Sequence, residues 1–225
     1  TEYNAIAYSG LLPWQKLQAK RTHIHSALVY AFRNFLIPVS DIYIKRGSTV
    51  IDCAFRKLDK QIAGLVQNAS NAYLYAPSSL GGLGLSSVLD EYLAQSLAHA
   101  IQILNCKDPI TKDAAFSFLR RCASGRDKRD LVSIQEAFRW LNTEIDNNSA
   151  HCWWSRVKYA IFKLRTRHST YIEFKIFDDE VELSIHQRLT PSDSTDFKIK
   201  STNLKEASKC LHIVFSKAWY IKWKN

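Results

Sequence analysis

Chemistry that needs metals would be carried first by Asp178 and Asp179, which stand side by side between two strand-like runs. Paired aspartates at a hairpin can hold two divalent ions for phosphoryl transfer. The polymerase pattern, however, is an aromatic, any residue, then Asp-Asp, and here Phe177 abuts the pair directly. Asp is also favoured in hairpin turns for backbone reasons alone. The pair therefore reads as a turn. The Cys and His residues give no stronger metal signal: the nearest groups, His23/His25, His151/Cys152 and Cys210/His212, point in different directions on a helix and do not converge locally, and no C-x-x-C or H-x-x-x-H occurs. GGLGLS (81–86) has no Ser at the nucleophile-elbow position, no Lys-Ser/Thr ending of a phosphate loop and no full dinucleotide fingerprint. It reads as a structural turn.

Cationic stripes are more informative. Lys16, Lys20 and His23 fall four and three apart, so one helix face would carry all three. Arg156, Lys163 and Arg167 repeat this in a second helical stretch, beside Trp153, Trp154 and Tyr159. Such stripes match a phosphate backbone or are simply solvated, and the aromatics could stack on bases or pack a core. The 31 Lys and Arg against 21 Asp and Glu leave a net charge of +10, which attracts polyanions, nucleic acid foremost. No apolar run approaches the length of a membrane span and no signal-peptide pattern opens the chain, so neither a membrane partner nor secretion is expected. Five cysteines, odd in number and widely spaced, point to reduced thiols in an intracellular setting, cytosolic or nuclear. Met is absent even at position 1, and the chain closes on WYIKWKN as unfinished helix, so a fragment of a longer product is expected.

The elements that must position these residues are mostly helical, and with only seven glycines a long all-β design is disfavoured. Residues 1–10 read as a connector. Apolar residues at helical spacing predict helices over 11–37, 48–68, 88–104, 108–122, 128–145 and 152–167, with a loop at 146–150. Period-two alternation over 170–188 predicts a hairpin, FKIK (197–200) a third short strand, and Asn203 with Glu206 a capping-box start to a last helix. The fold class is thus mainly α, a helical bundle with a small C-terminal α+β element. Three regions follow: 1–105, 106–167 and 168–225.

Three segments in order, LLPWQKLQAKR (11–21), VIDCAFRKLDKQIAGLV (50–66) and AYLYAPSSLGGLGLSSVLDEYLAQSLAHAIQILNCKD (72–108), resemble the polyproteins of non-LTR, LINE-type retrotransposons. The resemblance is to the class carrying a restriction-like endonuclease, and the order matches the thumb and the start of the linker downstream of the reverse-transcriptase palm. Beyond residue 130 the chain fits that linker only loosely. The resemblance implies thumb helices that grip a template–primer duplex of RNA and DNA, with Trp14, Lys16, Lys20, Arg21, Arg56, Lys57 and Lys60 touching phosphates. It implies a packed turn over Tyr73 to Gly84 that keeps the helices in register. It also implies that the parent is an RNA-directed DNA polymerase using Mg2+ bound in its palm. The palm's aromatic-x-Asp-Asp, the zinc-knuckle Cys/His cluster and the endonuclease acidic residues are not in this chain. The implied piece needs no cofactor of its own, and it binds and positions nucleic acid for the palm without polymerising or cleaving. Two other classes remain open: a stand-alone or domesticated helical nucleic-acid-binding domain, and a helical module that docks a protein.

Overall fold

The computed structural model describes residues 2–34, 47–125, 131–145, 152–177, 179–190, 193–199 and 204–224. The chain is mainly helical, with one three-stranded antiparallel sheet near its C-terminal end. It divides into two compact units: residues 1–92 with 215–225, and residues 93–214.

In the first unit, α1 (Glu2–Ala7) occupies what the sequence suggested was a connector. Its Tyr3 and Ala7, one turn apart, are buried with Ile24 and Ile62, and Ile6, Leu17, Leu28, Phe55 and Leu58 pack around them. Tertiary burial stabilises a helix that six residues could not form alone. The long helix expected from Leu11 starts at Pro13, a residue preorganised for a first turn. It runs as α2 (Pro13–Ala19), a π-helical segment over Lys20–His25, and α3 (Ser26–Asn34). The expected end near Ile37 lies outside the described residues.

Helix α4 (Gly47–Ile62) stops six residues before the predicted end at Asn68. Gly64 adopts φ 68°, and the amides of Gly64 and Leu65 bond back to the Gln61 and Lys60 carbonyls at 3.2 and 2.8 Å. This left-handed closure satisfies orphan carbonyls and turns the chain away. A short α5 (Asn71–Tyr75) follows, capped by Ser70, and a single 3-10 turn (Ser78–Leu80) leads into the glycine segment. Leu74, Tyr75 and Leu85 form a buried cluster there, flanked by Leu17, Leu65, Leu83 and Trp219. A Cβ on Gly82 would lie 2.3 Å from the Ala76 carbonyl oxygen, so only glycine fits.

Helix α6 (Val88–Leu104) and α7 (Pro109–Ser124) match their expected positions closely. Asp108 caps α7 through the Thr111 amide. Helix α8 is confined to Ile134–Leu141, shorter than the predicted 128–145, because Ser133 and Glu136 form a reciprocal capping box that sets its start. Residues 146–150, the expected loop, lie outside the described residues. Helix α9 (Trp153–His168) ends at Ser169 in the left-handed region.

Strands β1 (Thr170–Phe177), β2 (Glu180–Thr190) and β3 (Asp193–Ile199) pair antiparallel in that order. Alternation on β1 buries Thr170, Ile172 and Phe174 and exposes Tyr171, Glu173 and Lys175. Asp179 turns the β1–β2 hairpin at φ 61°, and its carbonyl accepts from Lys112 Nζ at 2.9 Å. Asp178, its neighbour, lies outside the described residues. Helix α10 (Leu204–Lys224) closes the chain; Asn203, its expected cap, is likewise outside them.

The core of the second unit gathers Leu97, Ile101, Leu119, Leu141, Val157, Ile161, Ile185 and Leu211, all at most 1% exposed. Asn105 clamps β2 to the end of α6: its side chain donates to the Val181 carbonyl and accepts from the Val181 amide, both at 2.7 Å.

Candidate nucleic-acid interface

A phosphate contact needs a cation whose head reaches solvent. In the first unit the structure sorts the expected residues sharply by that criterion. Trp14, on the first turn of α2, is 65% exposed. Lys57 is exposed on the face of α4 opposite the buried Asp52 and Asp59. Arg21 is exposed too, and its guanidinium donates to the Leu83 and Gly84 carbonyls at 2.9 and 3.2 Å. That pair of bonds ties the π-segment to the glycine turn. Lys16 is half-buried and donates to the Ala7 carbonyl at 2.9 Å, joining α2 to the end of α1. Arg56 is half-buried beside Asp52, with Nε 3.5 Å from a carboxylate oxygen.

Two of the expected phosphate contacts are interior residues instead. Lys20 is 4% exposed and its ammonium meets both oxygens of Asp59 at 2.7 and 2.6 Å. The Tyr3 hydroxyl donates to the same carboxylate, and the Tyr3 and Phe55 rings lie 5.3 and 5.5 Å from the ammonium. Burial holds the Lys20 pKa below its ordinary value even though the Asp59 charge pulls it up. Lys60 is 6% exposed and donates to the Gln67 carbonyl at 2.7 Å, which anchors the chain just past the α4 terminus. The face shared by Lys16, Lys20 and His23 is therefore not one solvent face: only His23 is exposed. The π-segment starts at Lys20, and Asp59 draws that side chain inward.

In the second unit Arg156 is also interior, 2% exposed, with Nε donating to Ser96 Oγ at 2.7 Å. Trp154 packs in the core at 1% exposure, and half-buried Trp153 meets it edge-on at 4.6 Å between ring centroids. Lys163 and Arg167 remain partly exposed, one helical turn apart near the C-terminal end of α9, although Nε and Nη2 of Arg167 are themselves buried. Burial lowers the Lys163 pKa, and the positive charge of Arg167 lowers it further. Two like charges are thus held close enough to repel. The Lys163 ammonium also lies 5.8 and 5.5 Å from the Tyr159 and Phe162 rings.

Local spacing missed several partly buried polar links because their partners are far away in sequence. His25 Nε2 lies 2.7 Å from Glu91 Oε2, and Trp219 Nε1 donates to Asp90 at 2.6 Å. Asp52 accepts from the Val88 amide at 3.2 Å, capping α6 from α4. These bonds fix the first unit's helices around Tyr75, whose phenol is pushed well above its usual range by burial and by the Asp52 and Asp59 charges. Among the described residues no group of three or more His, Cys, Asp and Glu side chains could hold a metal ion, and no helix is long and apolar enough to cross a membrane.

Set against known proteins, the chain matches no family model, no curated protein and no solved structure.

Proposed function

We propose that this chain is the duplex-gripping thumb and linker portion of a retrotransposon reverse transcriptase, holding an RNA–DNA template–primer for a palm outside the chain. Its partner is the phosphate backbone, so affinity falls steeply with salt and sequence preference is slight. The observation that carries the reading is the Lys163–Arg167 pair, two partly exposed cations one turn apart on α9. Both also lie near the C-terminal end of α9, where the helix dipole favours cations. Further support comes from exposed Arg21 and Lys57, from the open Trp14 ring, and from a net charge of +10. With Lys20, Lys60 and Arg156 engaged inside the fold, the contact set narrows to Trp14, Lys16, Arg21, Arg56, Lys57, Lys163 and Arg167. Any Mg2+ used by the parent belongs to its palm, and the chain's own task is positional.

Competition tests this reading. A labelled RNA–DNA hybrid bound by the chain should be displaced by unlabelled hybrid of unrelated sequence at similar concentration, and only at several-fold higher concentration by single-stranded RNA of equal charge. Equal displacement by single strands would reduce the reading to general polyanion attraction.

One observation favours a protein-docking module instead. Tyr8, Leu11, Leu12 and Trp14 are all more than 40% exposed within seven residues, an apolar patch of the kind that docks partners. In that case reversing Lys163 and Arg167 leaves partner binding intact.

A further inference from the structure

Cys122 sits in the last turn of α7, and Cys152 is the N-cap residue of α9. They are 30 residues apart in the chain, yet their sulfurs lie 3.4 Å from one another. Both side chains are partly exposed. The Cys152 sulfur accepts from the Ser155 amide at 3.4 Å and lies 3.2 Å from Ser155 Oγ. The nucleic-acid grip uses neither thiol.

We propose that Cys122 and Cys152 form a reversible dithiol couple whose oxidant is a hydroperoxide, with Cys152 attacking and Cys122 resolving. Three features of the geometry select these roles. Amide donors at a helix N-terminus stabilise an anion on Cys152, as the helix dipole does. A second S–H donor stands in contact, so the charge settles on one sulfur and the proton on the other. Accordingly the hydrogen bond from Cys122, with those from Ser155, brings the Cys152 thiol down to about 5, while the same contact pushes Cys122 up. Finally, the resolving sulfur is already within about 1.5 Å of disulfide distance, so closure needs a rotamer shift rather than unfolding.

In the first step the Cys152 thiolate attacks the terminal oxygen of the hydroperoxide. An S–O bond forms, the O–O bond breaks, and the departing alkoxide or hydroxide takes a proton from water. Cys152 becomes a sulfenic acid. In the second step Cys122 loses its proton and attacks the Cys152 sulfur. The S–S bond forms, the S–O bond breaks, and hydroxide leaves with that proton as water. Two thiols give two electrons to one peroxide, yielding a disulfide, an alcohol or water, and a second water. The product links the end of α7 to the start of α9, and a dithiol reductant restores the pair.

The test treats the full chain with a small excess of hydrogen peroxide, blocks remaining thiols by alkylation, and maps peptides by mass spectrometry. Two of the five thiols should disappear, Cys122 and Cys152 should appear in one linked peptide, and dithiothreitol should restore both. In a Cys122→Ser variant, dimedone should trap a sulfenic acid on Cys152. A linkage through any other cysteine, or five thiols still alkylating after peroxide, would overturn the proposal. So would dimedone labelling elsewhere in Cys122→Ser with Cys152 unmarked. Should that variant not fold, the linkage map of the native sequence decides.

Discussion

The Lys20 ammonium lies 2.6 Å from an Asp59 carboxylate oxygen, with side-chain exposures of 5% and 1%. This buried pair joins the π-segment to α4, and Tyr3 adds a donor from α1. Removing the acid strands an ammonium in the core. Asp59→Ala should therefore destabilise the chain by about 3–5 kcal/mol. Lys20→Met should cost less, since Asp59 keeps its Tyr3 donor. Urea denaturation followed by circular dichroism gives both numbers. An Asp59→Ala loss under about 1 kcal/mol would mean that the pair is not buried as described.

Alkaline pH should attack the same region. Burial, then the Asp59 charge, raises the Tyr3 pKa above its unfolded value of 10.0, and burial with the Asp52 and Asp59 charges does so for Tyr75. A raised folded-state pKa contributes stability that is whole below the unfolded pKa and is lost as pH climbs from there toward the folded value. Stability should thus hold up to about pH 10 and fall beyond it. Of the ten tyrosines, these two should ionise by absorbance at 295 nm only when the helical signal collapses. Ionisation of all ten before any loss of helix would contradict their burial.

The glycine turn offers a clean steric comparison. Gly82→Ala forces a Cβ to within 2.3 Å of the Ala76 carbonyl oxygen, whereas at Gly10 nothing lies within 4 Å of an added Cβ. Gly82→Ala should cost at least about 2 kcal/mol. Gly10→Ala should be neutral or stabilising by up to about 1 kcal/mol. Similar melting temperatures for the two variants would refute the packed turn.

Much of the fold is legible in the sequence because burial there follows a period. Helices α6 and α9 and strands β1 and β2 fall close to where apolar spacing puts them, while β3 starts four residues before the expected 197. Helix α1 is not legible, since six residues carry too little pattern and its stability comes from distant Ile24 and Ile62. The candidate site reads less well. Lys20 and Arg156 look like surface cations until Asp59 and Ser96, 39 and 60 positions away, draw them inward. Lys60 had a nearer signal: Gly64 ends the helix and swings the Gln67 carbonyl back toward it. The Cys122–Cys152 contact spans 30 positions, and no local motif announces it.

Thiol reactivity should report that contact directly. With Cys152 brought down to about 5, chiefly by the Cys122 hydrogen bond, its thiolate is fully formed above about pH 6. Its alkylation rate, resolved by peptide mapping, should stay flat from pH 6 to 8. An unperturbed thiol measured alongside, with a pKa near 8.5, should speed up roughly tenfold per pH unit over most of that range. A Cys152 rate climbing in parallel with it would show that the sulfurs do not share a proton.

Most direct for the nucleic-acid reading is fluorescence anisotropy of a labelled RNA–DNA hybrid titrated with the full chain from 50 to 200 mM salt, beside a Lys163→Glu/Arg167→Glu variant. The native chain should bind with log affinity falling linearly in log salt. The variant should bind at least about tenfold more weakly, with a slope shallower by about 2 for two lost phosphate contacts. A folded native chain that fails to bind at 50 mM salt, or a variant with unchanged affinity and slope, would contradict the proposed grip.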